Sequence, residues 1–364
     1  MMFYPNLLTA LDGSPVTVAE QWPARRKELL AILDREQYGL WPAGEVSARG
    51  CVCEEIKPCC AGHARHEKIN ISFDTPSGVF TFPMQFVFPA DGHAHPLMLH
   101  MNFHPNLYDR YCPVEEIIDN GFALGYICYS DVTTDDADMT NGLAGCYPRN
   151  NPATDWGKLS MWAYAVSRSL DYLLTRPEVD EKNTAVIGHS RLGKAALLCG
   201  AHDERVRFVL ANCSGCGGDA LEQTKHPGSE TYAFMDRTFA YWFCGNRKKY
   251  IEAQSAMPYD QHFLLAAIAP RFVAVGSAAE DTWADPFSQQ LCCSAASPAW
   301  VLHGLPGFSG PSEQAKVNSS WHEGCIGYHL RDGVHFLSRQ DWLQYMSFVK
   351  RHLHIEQPKD VTVR

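Results

Sequence analysis

A succession of short apolar runs, each with a helix-like or irregular segment behind it, leaves this chain few architectures. "PLMLHM" (96–101) precedes "PVEEIIDNG", "FALGYICY" (122–129) precedes a long irregular stretch, and "TAVIG" (184–188) leads straight into "SRLGKAALLCGA". "VRFVLANC" (206–213) precedes a second long stretch, and "PRFVAVGS" (270–277) is followed by "FSQQLCCSAAS". "AWVLHG" (299–304) reads as the last strand, and "SRQDWLQYMSFVKRHL" as a closing helix. Apolar strands alternating with helices predict a mostly parallel central sheet flanked by helices, an α/β architecture. Upstream, "KINISF" and "FTFPMQFVF" flank "DTPSG", a hairpin signal at the start of the sheet. Residues 20–40 read as an amphipathic helix, with Leu29, Leu30, Ile32 and Leu33 set apart from Arg25, Arg26, Lys27 and Glu28. We therefore expect a single domain over 1–364, with an N-terminal helical extension over 1–60 and rim insertions near 130–156, 214–262 and 304–322. Ligands of such sheets bind beyond the carboxyl ends of the strands, where these insertions would sit.

Composition removes several function classes. The formal net charge is −10 and no run of Lys and Arg forms a stripe, which argues against nucleic acid as a partner. No apolar run approaches the roughly 20 residues that span a bilayer, so no membrane partner is expected. The stretch "MMFYPNLLTALDGSP" has neither a basic n-region nor a long apolar h-region, so the expected location is the cytoplasm, or outside the cell for a trimmed chain. The 14 cysteines then read as thiols. "CVCEEIKPCC" and Cys213-x-x-Cys216 lack the paired spacing of a zinc knuckle, and no metal or cofactor is expected. The oligomeric state stays open.

The chemistry concentrates in "VIGHSRLGKAAL" (186–197). Ser190 stands where a strand meets a helix start, with Gly188 two residues before it, as in the nucleophile turn of a serine hydrolase. The second glycine of G-x-S-x-G arrives one position late, at Gly193. The competing reading is that Ser190 merely caps the helix. A serine nucleophile needs a base and an acid to orient it, and on an α/β-hydrolase sheet they follow in the order serine, acid, histidine. "AAEDTWADP" supplies Glu280, Asp281 and Asp285, of which Asp281 is the best placed for the acid. "GYHLRDGVHFLSRQDW" supplies His329 and His335; His335, in a glycine loop before the final helix, is the expected base, and His329 a packed strand residue. The backbone N–H of Arg191 would serve an oxyanion hole, with Asn102 or a neighbour in "HMNFHP" as a second donor. A metal centre from His93, His95, His100 and His104 is the rival, but it lacks a partner pattern such as H-E-x-x-H.

These residues resemble a family. "GHSRLGK" is similar to the G-x-S-R-x-G-K signature of glucuronoyl esterases, α/β-hydrolases that cleave esters of (4-O-methyl-)glucuronic acid. The resemblance continues through "NCSGCGG" (212–218), "SETY" around Glu230, "FAYWF" (239–243), "EDTWADP" and "RDGVHF". It implies that Arg191 adds its guanidinium to the oxyanion hole and that Lys194 holds sugar hydroxyls. It further implies that Glu230 and Trp283 touch the uronate, with Gln223 near the place of a binding glutamine. Many members carry the acid as a glutamate after the sixth strand; here that position is Cys213, and Asp281 matches relatives that place the acid after the seventh. The expected enzyme is a serine carboxylic ester hydrolase acting on a small-molecule or oligosaccharide ester through an acyl-enzyme on Ser190. A carbohydrate deacetylase with the same triad, and a non-catalytic carbohydrate-binding relative, are the alternatives.

Overall fold

The structure, a computed structural model, describes residues 4–44, 46–56 and 59–354. Met1–Phe3 of the N-terminal stretch, Lys57 and Pro58 of the cysteine-rich segment, and residues 355–364 lie outside the described residues. Ten strands form one sheet: β1 (Arg49–Ile56), β2 (Ala64–Thr75), β3 (Gly78–Pro89), β4 (His95–Asn102), β5 (Ala123–Cys128), β6 (Val179–His189), β7 (Phe208–Asn212), β8 (Phe272–Ala278), β9 (Ser319–Trp321) and β10 (Ile326–Arg331). Their spatial order is β1-β2-β3-β5-β4-β6-β7-β8-β10-β9. The centre, from β5 through β4, β6, β7 and β8 to β10, is parallel, and the flanks are antiparallel. This is the α/β-hydrolase fold. Every residue of β5, β7, β8 and β10 is buried, as expected for strands covered by helices on both faces.

The hairpin forms where "DTPSG" places it, with Thr75 paired to Gly78 across the turn. The N-terminal helix spans Trp22–Leu33 and buries Leu29, Ile32 and Leu33. Arg25 departs from the expected polar face: it is buried, its Nε donating to the Leu7 carbonyl at 2.9 Å and its Nη1 paired with Glu28. The segment 1–60 is not wholly helical, because its cysteine-rich end forms the edge strand β1.

One strand assignment is corrected. "AWVLHG" contains the short helix Pro298–Leu302, and the last parallel strand is β10, "IGYHLR". Pro298 at the first helical position pre-sets a helical φ, and a four-residue apolar run has no periodicity that separates a buried helix turn from a strand. Trp300 drives the burial, its Nε1 donating to the Arg271 carbonyl at 2.7 Å. The helix Lys158–Leu173 packs against the helix Arg191–His202 that follows β6. No helix among the described residues is long and apolar enough to cross a membrane.

Candidate active site

The carboxyl ends of β6, β7, β8 and β10 meet on one rim, and β6 delivers Ser190 there. Ser190 has φ 57° and ψ −128°, a conformation that costs a non-glycine residue on the order of 1–3 kcal/mol. Its N–H is held by the Asn212 carbonyl at 2.8 Å, and its carbonyl accepts from Gly193 and Lys194. Its side chain makes no capping hydrogen bond to the helix that it precedes. The capping explanation therefore fails, and the strained turn presents the hydroxyl at the rim.

Both glycines are required by contact. A Cβ on Gly188 would lie 2.1 Å from the Leu192 carbonyl oxygen. A Cβ on Gly193 would lie 2.2 Å from the Ser214 hydroxyl, at the end of β7. The displaced glycine thus marks where this helix passes the neighbouring strand.

His335 follows β10, and its Nδ1 lies 2.6 Å from Asp281 Oδ2, in the loop after β8. The two loops are tied together, because Ala279 and Glu280 donate their N–H groups to the carbonyls of Arg331 and Gly333. Burial alone would push the Asp281 carboxyl up. Hydrogen bonds from His335, the Ala284 N–H and the Cys213 thiol, with the His335 charge, outweigh it and hold Asp281 below the usual carboxylate range. The His335 ring packs on His189, the residue before Ser190, at a centroid distance of 4.4 Å. His189 is buried, hydrogen-bonded to Asn212 at 2.6 Å, and pushed down to about 3 by burial and by His335. It is a neutral wall against which His335 rests.

The other candidates for acid and base are used elsewhere. Glu280 is exposed, and Asp285 caps the helix Pro286–Ala296, accepting from the Ser288 N–H. His329 lies buried on β10, 3.0 Å from Asp341. Among the described residues, His93, His95, His100 and His104 do not gather into a three-ligand cluster. His95 bonds Asp91, whereas His100 is buried against Tyr126 and Trp342.

Around Ser190 stand residues that could grip an anion and a sugar. The Arg191 guanidinium is paired with Asp135, and lies 5.2 Å from the centroid of the Trp242 ring and 5.5 Å from that of Phe103. Asp135 also accepts from Trp242 Nε1 at 2.6 Å and from the Tyr241 hydroxyl. Lys194 is only 1% exposed, its Nζ donating to the Ser214 carbonyl and lying 3.8 Å from Glu230 Oε2. Glu230 accepts the Cys216 N–H at 3.0 Å, and its own N–H donates to the Trp283 carbonyl. Trp283 is 43% exposed and braced edge-on by Phe234 at 4.9 Å, a flat apolar face open to a ligand. The loop "NCSGCGG" is pinned from below: Asp219 accepts the Gly215 N–H, and Glu222 the Gly217 N–H and the Cys216 thiol.

One expected residue is corrected. The Asn102 amide is spent on Asp109 and Tyr126, and its oxygen accepts the Phe103 N–H, so this side chain shapes its own loop instead of donating to an oxyanion. Gln223 is half-buried, and its backbone N–H is held by Asp260 next to the buried Glu222. Sequence reading also missed Asp135, Trp242 and His189. Trp242 lies within the quoted "FAYWF", while Asp135 stands in an acidic run with no signal of its own.

None of the fourteen cysteines forms a disulfide. Cys213 and Cys216 are both buried, and burial pushes both thiols well up.

Residues 71–304 match the protein family described as glucuronyl esterase, fungi. The chain is 30% identical to a carbohydrate esterase from an unknown prokaryotic organism, covering 96% of this chain and 89% of that one. It is 27% identical to a 4-O-methyl-glucuronoyl methylesterase of Schizophyllum commune, over 83% of this chain and 74% of the relative. Among solved structures, a glucuronoyl esterase from Solibacter usitatus superposes with a TM-score of 0.87 at 31% identity, covering 96% and 97% of the two chains.

Proposed function

Because the chain belongs to the glucuronoyl esterase family, and so is a carboxylic ester hydrolase acting on carbohydrate, we propose that it cleaves esters of glucuronic or 4-O-methyl-glucuronic acid with Ser190 as nucleophile. The observation that carries this reading is the pairing of His335 with Asp281 beside a strained, uncapped Ser190. His335, oriented through Nδ1 by Asp281, takes the Ser190 proton at Nε2 as the hydroxyl attacks the acyl carbon. The Arg191 guanidinium and the N–H groups at the start of its helix stabilise the developing oxyanion. His335 then protonates the leaving alcohol, and water releases the acid from the acyl-enzyme.

In a uronoyl ester the cleaved carbonyl belongs to the sugar, so the ring must be gripped beside the nucleophile. Lys194 and Glu230 offer a donor and an acceptor for ring hydroxyls, and Trp283 offers a face for the pyranose. The discriminating experiment compares rates on methyl glucuronate and on an acetylated xylo-oligosaccharide. Preference for the uronate ester is expected; preferential acetate release would assign the enzyme to the deacetylases. Binding of either ligand with no turnover at all would make it a carbohydrate-binding relative.

A further inference from the structure

We propose that Cys213, Asp281 and His335 form a binding site for a thiophilic divalent cation such as zinc, and that its occupation switches the esterase off. One potential donor atom from each residue lies within 4.8 Å of the other two, and this is the one such group of three among the described residues. A thiolate, a carboxylate and an imidazole are a zinc donor set, and three protein ligands leave the fourth tetrahedral position to water.

The fold holds these donors in place. Cys213 has φ 47° at the end of β7, and its N–H is fixed by the Gly276 carbonyl at 2.8 Å. Asp281 is 4% exposed and held from the other side by the Ala284 N–H. The His335 side chain is 40% exposed, so the cluster has a solvent entrance on its histidine side.

The chemistry explains the inhibition. On binding, the Cys213 thiol loses its proton to solvent and its sulfur electron pair goes to the metal. The proton that His335 Nδ1 shared with Asp281 moves through solvent to Nε2, which frees the Nδ1 lone pair for the metal. A histidine protonated at Nε2 and metallated at Nδ1 has no lone pair left for the Ser190 proton. Asp281 exchanges its hydrogen bond to His335 for a metal bond. No oxidant or reductant takes part.

The inhibitory consequence rests on the proposed roles of Ser190 and His335, whereas binding itself does not. Two readouts therefore separate them. Metal-stripped wild-type protein titrated with cadmium chloride, without substrate, is expected to develop the ultraviolet thiolate–cadmium absorbance. Cys213→Ser and His335→Ala should each weaken that binding by at least about tenfold. Cys59→Ser/Cys60→Ser controls for the neighbouring Cys59 and Cys60 thiols, whose sulfurs lie 3.7 Å apart, and should retain the response. Zinc chloride should inhibit ester turnover reversibly, with chelator restoring the rate and Cys213→Ser shifting the inhibiting concentration upward by a similar factor. Cadmium absorbance unchanged in both Cys213→Ser and His335→Ala would overturn the site, as would its loss in the Cys59/Cys60 variant. If Cys213→Ser fails to fold, His335→Ala decides alone. Metal binding that obeys these rules while hydrolysis proceeds unimpaired would keep the site and overturn the inhibition.

Discussion

Replacing Asp135 by Asn should remove most of what positions Arg191 while keeping the shape of the loop. Asp135 pairs with the Arg191 guanidinium and accepts from Trp242 Nε1 at 2.6 Å and the Tyr241 hydroxyl at 3.2 Å. A hydrogen bond to a charged group contributes about 1.5–3 kcal/mol. The Arg191 and Asp135 side chains are 29% and 12% exposed, so solvent screening trims the pair toward the lower end of that range. A loss of about 1–2 kcal/mol in transition-state stabilisation corresponds to roughly 5–30-fold in kcat/KM. The assay is steady-state hydrolysis of methyl glucuronate by wild type, Asp135→Asn, Arg191→Ala and the double variant. The loss should fall mainly on kcat, because the guanidinium meets charge that develops only in the transition state. Arg191→Ala should cost about 100-fold or more, as for removal of an oxyanion donor. Adding Asp135→Asn to Arg191→Ala should cost nothing further. Wild-type kcat in Asp135→Asn, or an equal loss whether or not Arg191 is present, would show that Asp135 does not act through Arg191.

Gly188→Ala should cost about 3 kcal/mol of stability, because the added methyl meets backbone at Leu192 with no side chain to give way; a denaturant midpoint unchanged from wild type would contradict this. Trp283→Ala should raise KM for uronate esters by roughly 3–10-fold while leaving the thermal midpoint in place, since the ring is an exposed platform; an unchanged KM would remove Trp283 from the site. The Asp341 carboxylate accepts from His329, Arg331 and Ser338 at the start of the closing helix, and these partners outweigh its burial and hold its pKa at about 2, below the ordinary value of 3.8. A depressed carboxylate stabilises the fold above its unfolded pKa and loses that contribution as pH falls through the folded value. About 2 kcal/mol should therefore disappear between about pH 4 and pH 2, and Asp341→Asn should flatten that part of the urea-stability profile. An identical acid profile in the variant would rule this out.

The parallel strands were legible because burial on both faces leaves unbroken apolar runs such as those of β5 and β8. The triad candidates were legible because order along the chain and position after a strand select Ser190, Asp281 and His335 together. The helix Lys158–Leu173 does carry a helical period, with Arg168, Asp171 and Tyr172 outside its buried face, but it follows directly on the long irregular stretch behind β5 and has no side-chain cap to mark its start. "AWVLHG" misled for a related reason, being too short to show any period. Asp135 was hidden because an acidic run looks solvated until the fold sets one member against Arg191. Asn102 had the right position in the chain, but its three hydrogen bonds, one of them to Tyr126 on β5, exist only once β4 and β5 are paired.

Peptide mapping, by mass spectrometry, of enzyme quenched in acid during turnover of methyl glucuronate tests directly whether Ser190 is the nucleophile. A glucuronoyl adduct is expected on the peptide that carries Ser190, absent from Ser190→Ala, which should also lose turnover. Sustained hydrolysis by Ser190→Ala, or an adduct on any other residue, would contradict that role for Ser190.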